Sequence, residues 1–293
     1  MMIKIYSLLI IGCFLLSCST SIEPDTPYEG KKLVLNSLLT TDSPVTMQVT
    51  FSEDPNYFAT GEKVQDADVQ LFENGILVET LLYNQGEYFS PSGYIPKAGF
   101  SYFFEVNAPG FETAYSQEVV VPFEITYQVD SIQSFISINK EPALRVFYTI
   151  DDTLNTTDFY VLYAKGYLPE KQGYFSVRNF SAAEDKLDAG SNCFYGSYRY
   201  KAFNDLCWEG KHQSYIQSEL VLSFRDEGRF YFTSVQVSFA RVDPAFFNWV
   251  KSISMELDGI EYAFLEPGLG YSNVINGYGV VAAANVSVKD IPI

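Results

Sequence analysis

The segment VTMQVTFSE, residues 45–53, alternates strictly between apolar and polar side chains. Val45, Met47, Val49 and Phe51 point one way, and Thr46, Gln48, Thr50 and Ser52 the other. Successive side chains of an extended chain leave on opposite sides, so a period of two is what a strand with one buried face requires. A helix would scatter the same residues around its circumference. The segment therefore predicts a half-buried β-strand, and a chain built from such segments must stack them into sheets.

The pattern continues. DADVQLFENGILVETL reads as two short strands joined at Glu73-Asn74-Gly75, where Asn-Gly supplies the positive φ values of a tight hairpin. GEYFSPSGYIPKAGFSYFFEVNAPGFETAYSQEVVVP puts Tyr102, Phe104 and Val106 on one face, with turns at Pro96 to Gly99 and at Pro109-Gly110. Short runs with a turn signal every 8 to 12 residues or so predict a β-sandwich over residues 31–122. Its Gly-x-Tyr strand, following turn, aromatic-rich strand and Pro-Gly-Phe resemble the immunoglobulin-like modules related to carboxypeptidase regulatory domains.

Residues 123–293 are also strand-rich, in ALRVFYTID, DFYVLYAKGY, GYFSVRNF, SYIQSELVLSF and GRFYFTSVQVSFARV. One segment departs from this, VDPAFFNWVKSISMELDG. Asp243 can cap a helix, Pro244 suits its first turn, and Phe247, Val250, Ile253 and Leu257 recur at helical spacing until Gly259 stops it. The expected fold is mostly β: an amino-terminal immunoglobulin-like β-sandwich, then a second β-rich domain carrying one helix near 244–257.

The amino terminus reads as an address. Lys4 is a lone basic residue before an apolar core from Ile5 to Leu16, followed by the small residues Ser17 and Ser19. That core is shorter than the roughly 20 residues a spanning helix needs, so residues 1–17 are expected to be an export signal. Leu15-Leu16-Ser17-Cys18 resembles the bacterial lipobox, in which cleavage precedes a cysteine that is then acylated. This implies lipidation at Cys18, with residues 18–30, acidic and proline-bearing, as a flexible tether. The chain would be anchored to a membrane by lipid without crossing it.

A formal charge of -17 repels nucleic acid, so nucleic-acid binding is not expected. With 22 Tyr and 24 Phe, the chain has ample material for a packed core. Cys193 and Cys207 flank NCFYGSYRYKAFNDLCW; in an exported chain a disulfide is the favoured reading, with free buried thiols as the alternative. Such a bridge would contribute roughly 3 kcal/mol in the chain-entropy model.

No catalytic constellation emerges. The single histidine, His212, lies in WEGKHQSY with no GxSxG elbow in the chain. The adjacent carboxylates Asp151-Asp152, Glu184-Asp185 and Asp226-Glu227 have the character of turn residues. Asp54, Asp66, Asp68 and the run from Glu184 to Asp188 lack the spacing of a calcium loop, so no metal site is expected. GLGYSNVINGYG opens no helix with phosphate-binding spacing, so no cofactor is expected either.

The aromatic run between the two cysteines is the candidate ligand or partner surface: Tyr195, Tyr198, Arg199, Tyr200 and Trp208. Aromatic faces interleaved with cationic groups can stack on a sugar or grip a protein. The same residues suit the core of a hairpin equally well.

The carboxyl-terminal stretch FLEPGLGYSNVINGYGVVAAANVSV carries a more specific likeness. An aromatic helix, then Glu266-Pro267, Ser272-Asn273-Val274, Asn276-Gly277-Tyr278-Gly279 and a small-residue strand resemble the Bacteroidota lipoprotein family catalogued as domain of unknown function 4249. Val280 to Ala284 depart from the aromatic and glycines more usual in that strand. The resemblance implies a non-catalytic outer-membrane lipoprotein, often encoded beside TonB-dependent transporters, with no defining activity. It points to an accessory role in TonB-dependent nutrient uptake with a transporter barrel as partner. The alternative is a stand-alone surface lipoprotein that binds a glycan or peptide. Surface export in such bacteria is associated with acidic residues just after the lipidated cysteine, and Glu23 and Asp25 come somewhat late for it, so the expected address is the outer membrane with only a lean to the cell surface over the periplasmic face.

Overall fold

The computed structural model describes residues 28, 30–54, 61–137, 139–151, 156–180, 194–196, 200–205, 213–225, 228–257 and 270–293. In chain order the first eight strands are β1 (Leu33–Thr40), β2 (Thr46–Phe51), β3 (Asp68–Glu73), β4 (Ile76–Asn84), β5 (Glu87–Phe89), β6 (Ser101–Asn107), β7 (Ala114–Ser116) and β8 (Val119–Val120). There follow β9 (Thr126–Ile136), β10 (Pro142–Asp151), β11 (Phe159–Leu168), β12 (Gly173–Ser176), β13 (Arg178–Phe180), β14 (Phe194–Gly196) and β15 (Tyr200–Asn204). The last are β16 (Gln213–Val221), β17 (Ser223–Arg225), β18 (Arg229–Tyr231), β19 (Ser234–Val242), helix α1 (Pro244–Leu257), β20 (Val274–Ile275) and β21 (Gly277–Ile291). Among the described residues the fold is mostly β with one α-helix, as the sequence pattern predicts.

The largest sheet runs β14-β15-β11-β19-β21-β1-β2-β5-β4-β3-β6-β7-β20, with β12 added on β11 and β8 on β6. A second sheet orders β13-β16-β10-β9, and β17 and β18 form a separate ribbon. The expected hairpin is present: Glu73 pairs with Ile76, and Asn74 and Gly75 between them have φ of 49° and 78°.

In β2 the predicted alternation holds, with Met47 and Val49 buried and Thr46 and Gln48 exposed. Met47 and Val49 join Leu33, Leu35, Leu71, Tyr102 and Phe104 in the core of the amino-terminal half. That core also takes in Val281, Ala282 and Ala283 from the far end of the chain. A second core, built on Tyr127, Tyr148, Tyr160, Phe203 and Phe239, lies in the carboxyl-terminal half.

β21 spans the seam between the two halves. Its residues Gly277 to Ala284 pair in parallel with all of β1, and Ala284 to Ile291 pair antiparallel with β19. Close approach of two backbones explains the glycines here. A methyl group at Gly279, where φ is 108°, would lie 2.1 Å from the Leu35 carbonyl oxygen.

Helix α1 begins where the sequence places it. Asp243 caps it, accepting the amides of Ala245 and Phe246 at 3.1 Å each, and Pro244 fills the first position, which needs no donor. Phe247 and Val250 are buried against Val161, Ala202, Ala240, Val242 and Ala284. Ile253 of the expected stripe is half-buried.

Candidate functional site

Phe246 and Trp249 sit three residues apart on α1, beside its buried stripe. Both are half-buried, and their rings meet edge to face with centroids 5.6 Å apart. They form one wall of a cleft of about 330 Å³. Its remaining lining comes from Asn36, Ser37 and Leu38 of β1, Thr46 and Gln48 of β2, Glu87 of β5, and Val280 and Ala282 of β21.

Register explains why these residues meet. Asn36 stands opposite Gln48 on one side and Val280 on the other, so the three share the outer face of the sheet. Their neighbours Leu35 and Val49 point inward and are fully buried. Asn36 is exposed, and its Oδ1 accepts the Val280 amide at 3.1 Å, which orients the side chain. Ser37 Oγ donates to the Thr46 carbonyl at 2.7 Å. Gln48 and Glu87 are exposed, and among the described residues neither side chain is engaged in a hydrogen bond or ion pair.

The cleft is thus apolar along α1 and β21 and polar along β2 and β5. Among the described residues that line it, Glu87 is the one charged residue and none is a lysine or arginine. At its back, Asp243 Oδ1 accepts the Ala283 amide at 2.9 Å, and the Asp243 amide donates to the Ala283 carbonyl at 2.9 Å. Burial pushes the Asp243 carboxyl above the ordinary aspartate range, against the opposing pull of the Ala283, Phe246 and Ala245 amides. This clamp fixes the start of α1, and so the aromatic wall, relative to the floor.

Other polar clusters tie strands together. Glu73 Oε2 accepts the Tyr102 hydroxyl at 2.6 Å and also the Tyr94 hydroxyl, and Lys97 Nζ lies 3.2 Å from its Oε1. Burial would raise the Glu73 carboxyl, but these donors outweigh it and hold it below the ordinary glutamate range. The buried Glu141 carboxylate accepts Arg178 at 2.8 Å and Ser223 Oγ at 3.0 Å. Arg241 pairs with Asp158 at 2.5 Å. Among the described residues, no group of three or more His, Cys, Asp and Glu side chains is arranged to hold a metal ion, and no helix is long and apolar enough to cross a membrane.

Of the residues singled out in the sequence, Cys18, Cys193, Tyr198, Arg199, Cys207 and Trp208 lie outside the described residues. Tyr195 and Tyr200 are described through their backbones. Tyr195 is in β14 opposite Ala202, and Tyr200 is in β15 opposite Tyr163. Phe203, from the same aromatic run, is fully buried. The described lining of the cleft contains none of these residues, and sequence reasoning missed it. The available signal was the pair Phe246 and Trp249 at i and i+3, off the stripe that packs the helix.

A family model described as Domain of unknown function (DUF4249) matches residues 19–290. No curated protein matches the chain.

Proposed function

The chain belongs to the family described as Domain of unknown function (DUF4249), and from that premise we propose a non-catalytic outer-membrane lipoprotein, accessory to a TonB-dependent nutrient-uptake system. In this reading Cys18 carries the lipid, residues 18–30 tether the folded part, and the cell-surface face is preferred. The cleft against Phe246 and Trp249 carries the capture role: it is a preformed recess of about 330 Å³, near the low end of the roughly 300–1,000 Å³ of small-ligand sites. A lipid anchor would keep such a site beside a transporter barrel, which raises the local concentration of ligand-loaded protein at the barrel.

A second reading, a stand-alone surface lipoprotein for a glycan or peptide, is favoured by one feature. The described lining of the cleft comes from four strands and a helix of a single chain.

The test is a pull-down of the tagged protein from its native outer membrane in mild detergent. Stoichiometric recovery of one transporter barrel supports the accessory role. Recovery of the lipoprotein alone overturns it in favour of independent binding. A Cys18→Ala variant is expected to leave the membrane fraction, and its retention there would refute the anchor.

A further inference from the structure

The lining of the cleft narrows what it can hold. A peptide recruited as an added strand needs unpaired backbone groups at a sheet edge. None of the floor strands is a sheet edge: β1 lies between β21 and β2, β2 between β1 and β5, and β5 between β2 and β4. Recognition must therefore come from side chains. An anionic ligand would meet Glu87, with no lysine or arginine among the described lining residues, on a chain of formal charge -17. A purely apolar ligand would strip water from Asn36, Gln48 and Glu87 without replacing their hydrogen bonds, at about 1–3 kcal/mol for each group left unpaired.

The remaining pattern has an apolar aromatic wall on one side and separated amide and carboxylate groups on the other. A pyranose matches it. One face of the ring presents C–H groups that pack on an aromatic surface, and its equatorial hydroxyls act as both donors and acceptors. Asn36 Nδ2 and Gln48 Nε2 can donate to ring hydroxyls, while the Gln48 carbonyl and the Glu87 carboxylate can accept from them. We propose that this cleft binds a neutral saccharide, with a ring packed against Trp249 and Phe246 and its hydroxyls held by Asn36, Gln48 and Glu87. The assignment rests on reading the cleft as the ligand-capture site and names the class of its ligand.

The test uses the full chain purified in detergent and titrated with neutral disaccharides and tetrasaccharides of glucose, mannose, galactose, xylose and N-acetylglucosamine. Binding is read by isothermal calorimetry and by tryptophan emission in a Trp208→Phe background, which leaves Trp249 as the reporter. At least one series should bind saturably and shift the Trp249 emission, with affinity little changed between 50 mM and 500 mM salt. Trp249→Ala should weaken it at least tenfold.

Gln48→Ala and Glu87→Gln alter exposed sheet positions whose side chains make no hydrogen bond or ion pair among the described residues, so they test the polar side at little cost to folding. Each should weaken binding severalfold. No saturable response across the panel overturns the proposal, as does binding that all three variants leave unchanged. Binding of choline but of no saccharide, weakened by salt, would also overturn it by making the site cationic in preference. A barrel that still co-purifies with Trp249→Ala separates failure of the saccharide assignment from failure of the accessory role.

Discussion

The Asp243 carboxylate reaches across from the start of α1 to accept the Ala283 amide of β21 at 2.9 Å, while also capping its own helix. One side chain thus serves three backbone donors that would otherwise be orphaned in a buried place. Replacing it by alanine removes an N-cap, about 0.5–2 kcal/mol, and strands the Ala283 amide, about 1–3 kcal/mol. Asp243→Ala should therefore lose about 1.5–5 kcal/mol in urea denaturation. Asp243→Asn, which keeps an acceptor, should lose less. Equal losses would show that the carboxylate does not serve β21.

Glu73 supplies a pH dependence with a definite sign. Its carboxyl is held low in the folded protein, chiefly against burial, by Tyr102, Tyr94 and Lys97. The unfolded chain therefore binds the proton more readily, and stability from this group is present above the ordinary glutamate value and lost as pH falls through the lowered folded value. Glu73→Gln removes that titration. The stability gap between wild type and variant should narrow as pH drops from 6 to 3. A gap that is flat over that range would refute the assignment.

The fold was legible wherever the signal was local. Met47 and Val49, or Tyr102, Phe104 and Val106, declare their buried face by alternation alone, and Asp243-Pro244 declares a helix start by cap chemistry. The parallel pairing of β1 with β21 has no such mark. Leu33 and Gly277 are brought together by packing, and strand partners that far apart in sequence leave no periodic trace in either segment. The cleft stayed hidden for a related reason, since Trp249 becomes a wall only once Gln48 and Glu87 are set beside it by the sheet order. Aromatic density drew attention to residues 194–208, yet Phe203 shows that the same density also builds core.

Two glycines separate conformational strain from crowding. Gly110 has φ of 83° and open space around a would-be Cβ, so Gly110→Ala should cost about 1–2 kcal/mol for its backbone conformation alone. Gly279 adds a methyl 2.1 Å from the Leu35 carbonyl oxygen, and that neighbour is backbone in a paired strand. Gly279→Ala should cost clearly more, with amide exchange rising along both β1 and β21. Similar thermal shifts for the two variants would argue against so close a packing of these strands.

The sharing of β21 between two neighbours makes the chain's end a graded test of cooperativity. Residues after Ala284 pair with β19 and deliver Ile291 to the core around Tyr127, Tyr148 and Phe239. Residues 277–284 pair with β1 and deliver Val281 and Ala283 to the core around Leu33 and Leu35. Truncation after Ala284 should expose β19 while β1 keeps its partner, so hydrogen exchange should accelerate in residues 234–242 and stay slow in residues 33–40. Truncation after Asn276 should release both. If the shorter deletion instead unprotects β1 as fully as β19, the two cores fold as one cooperative unit through β21. The Asp243 to Ala283 clamp at the middle of that strand is then the contact to break next.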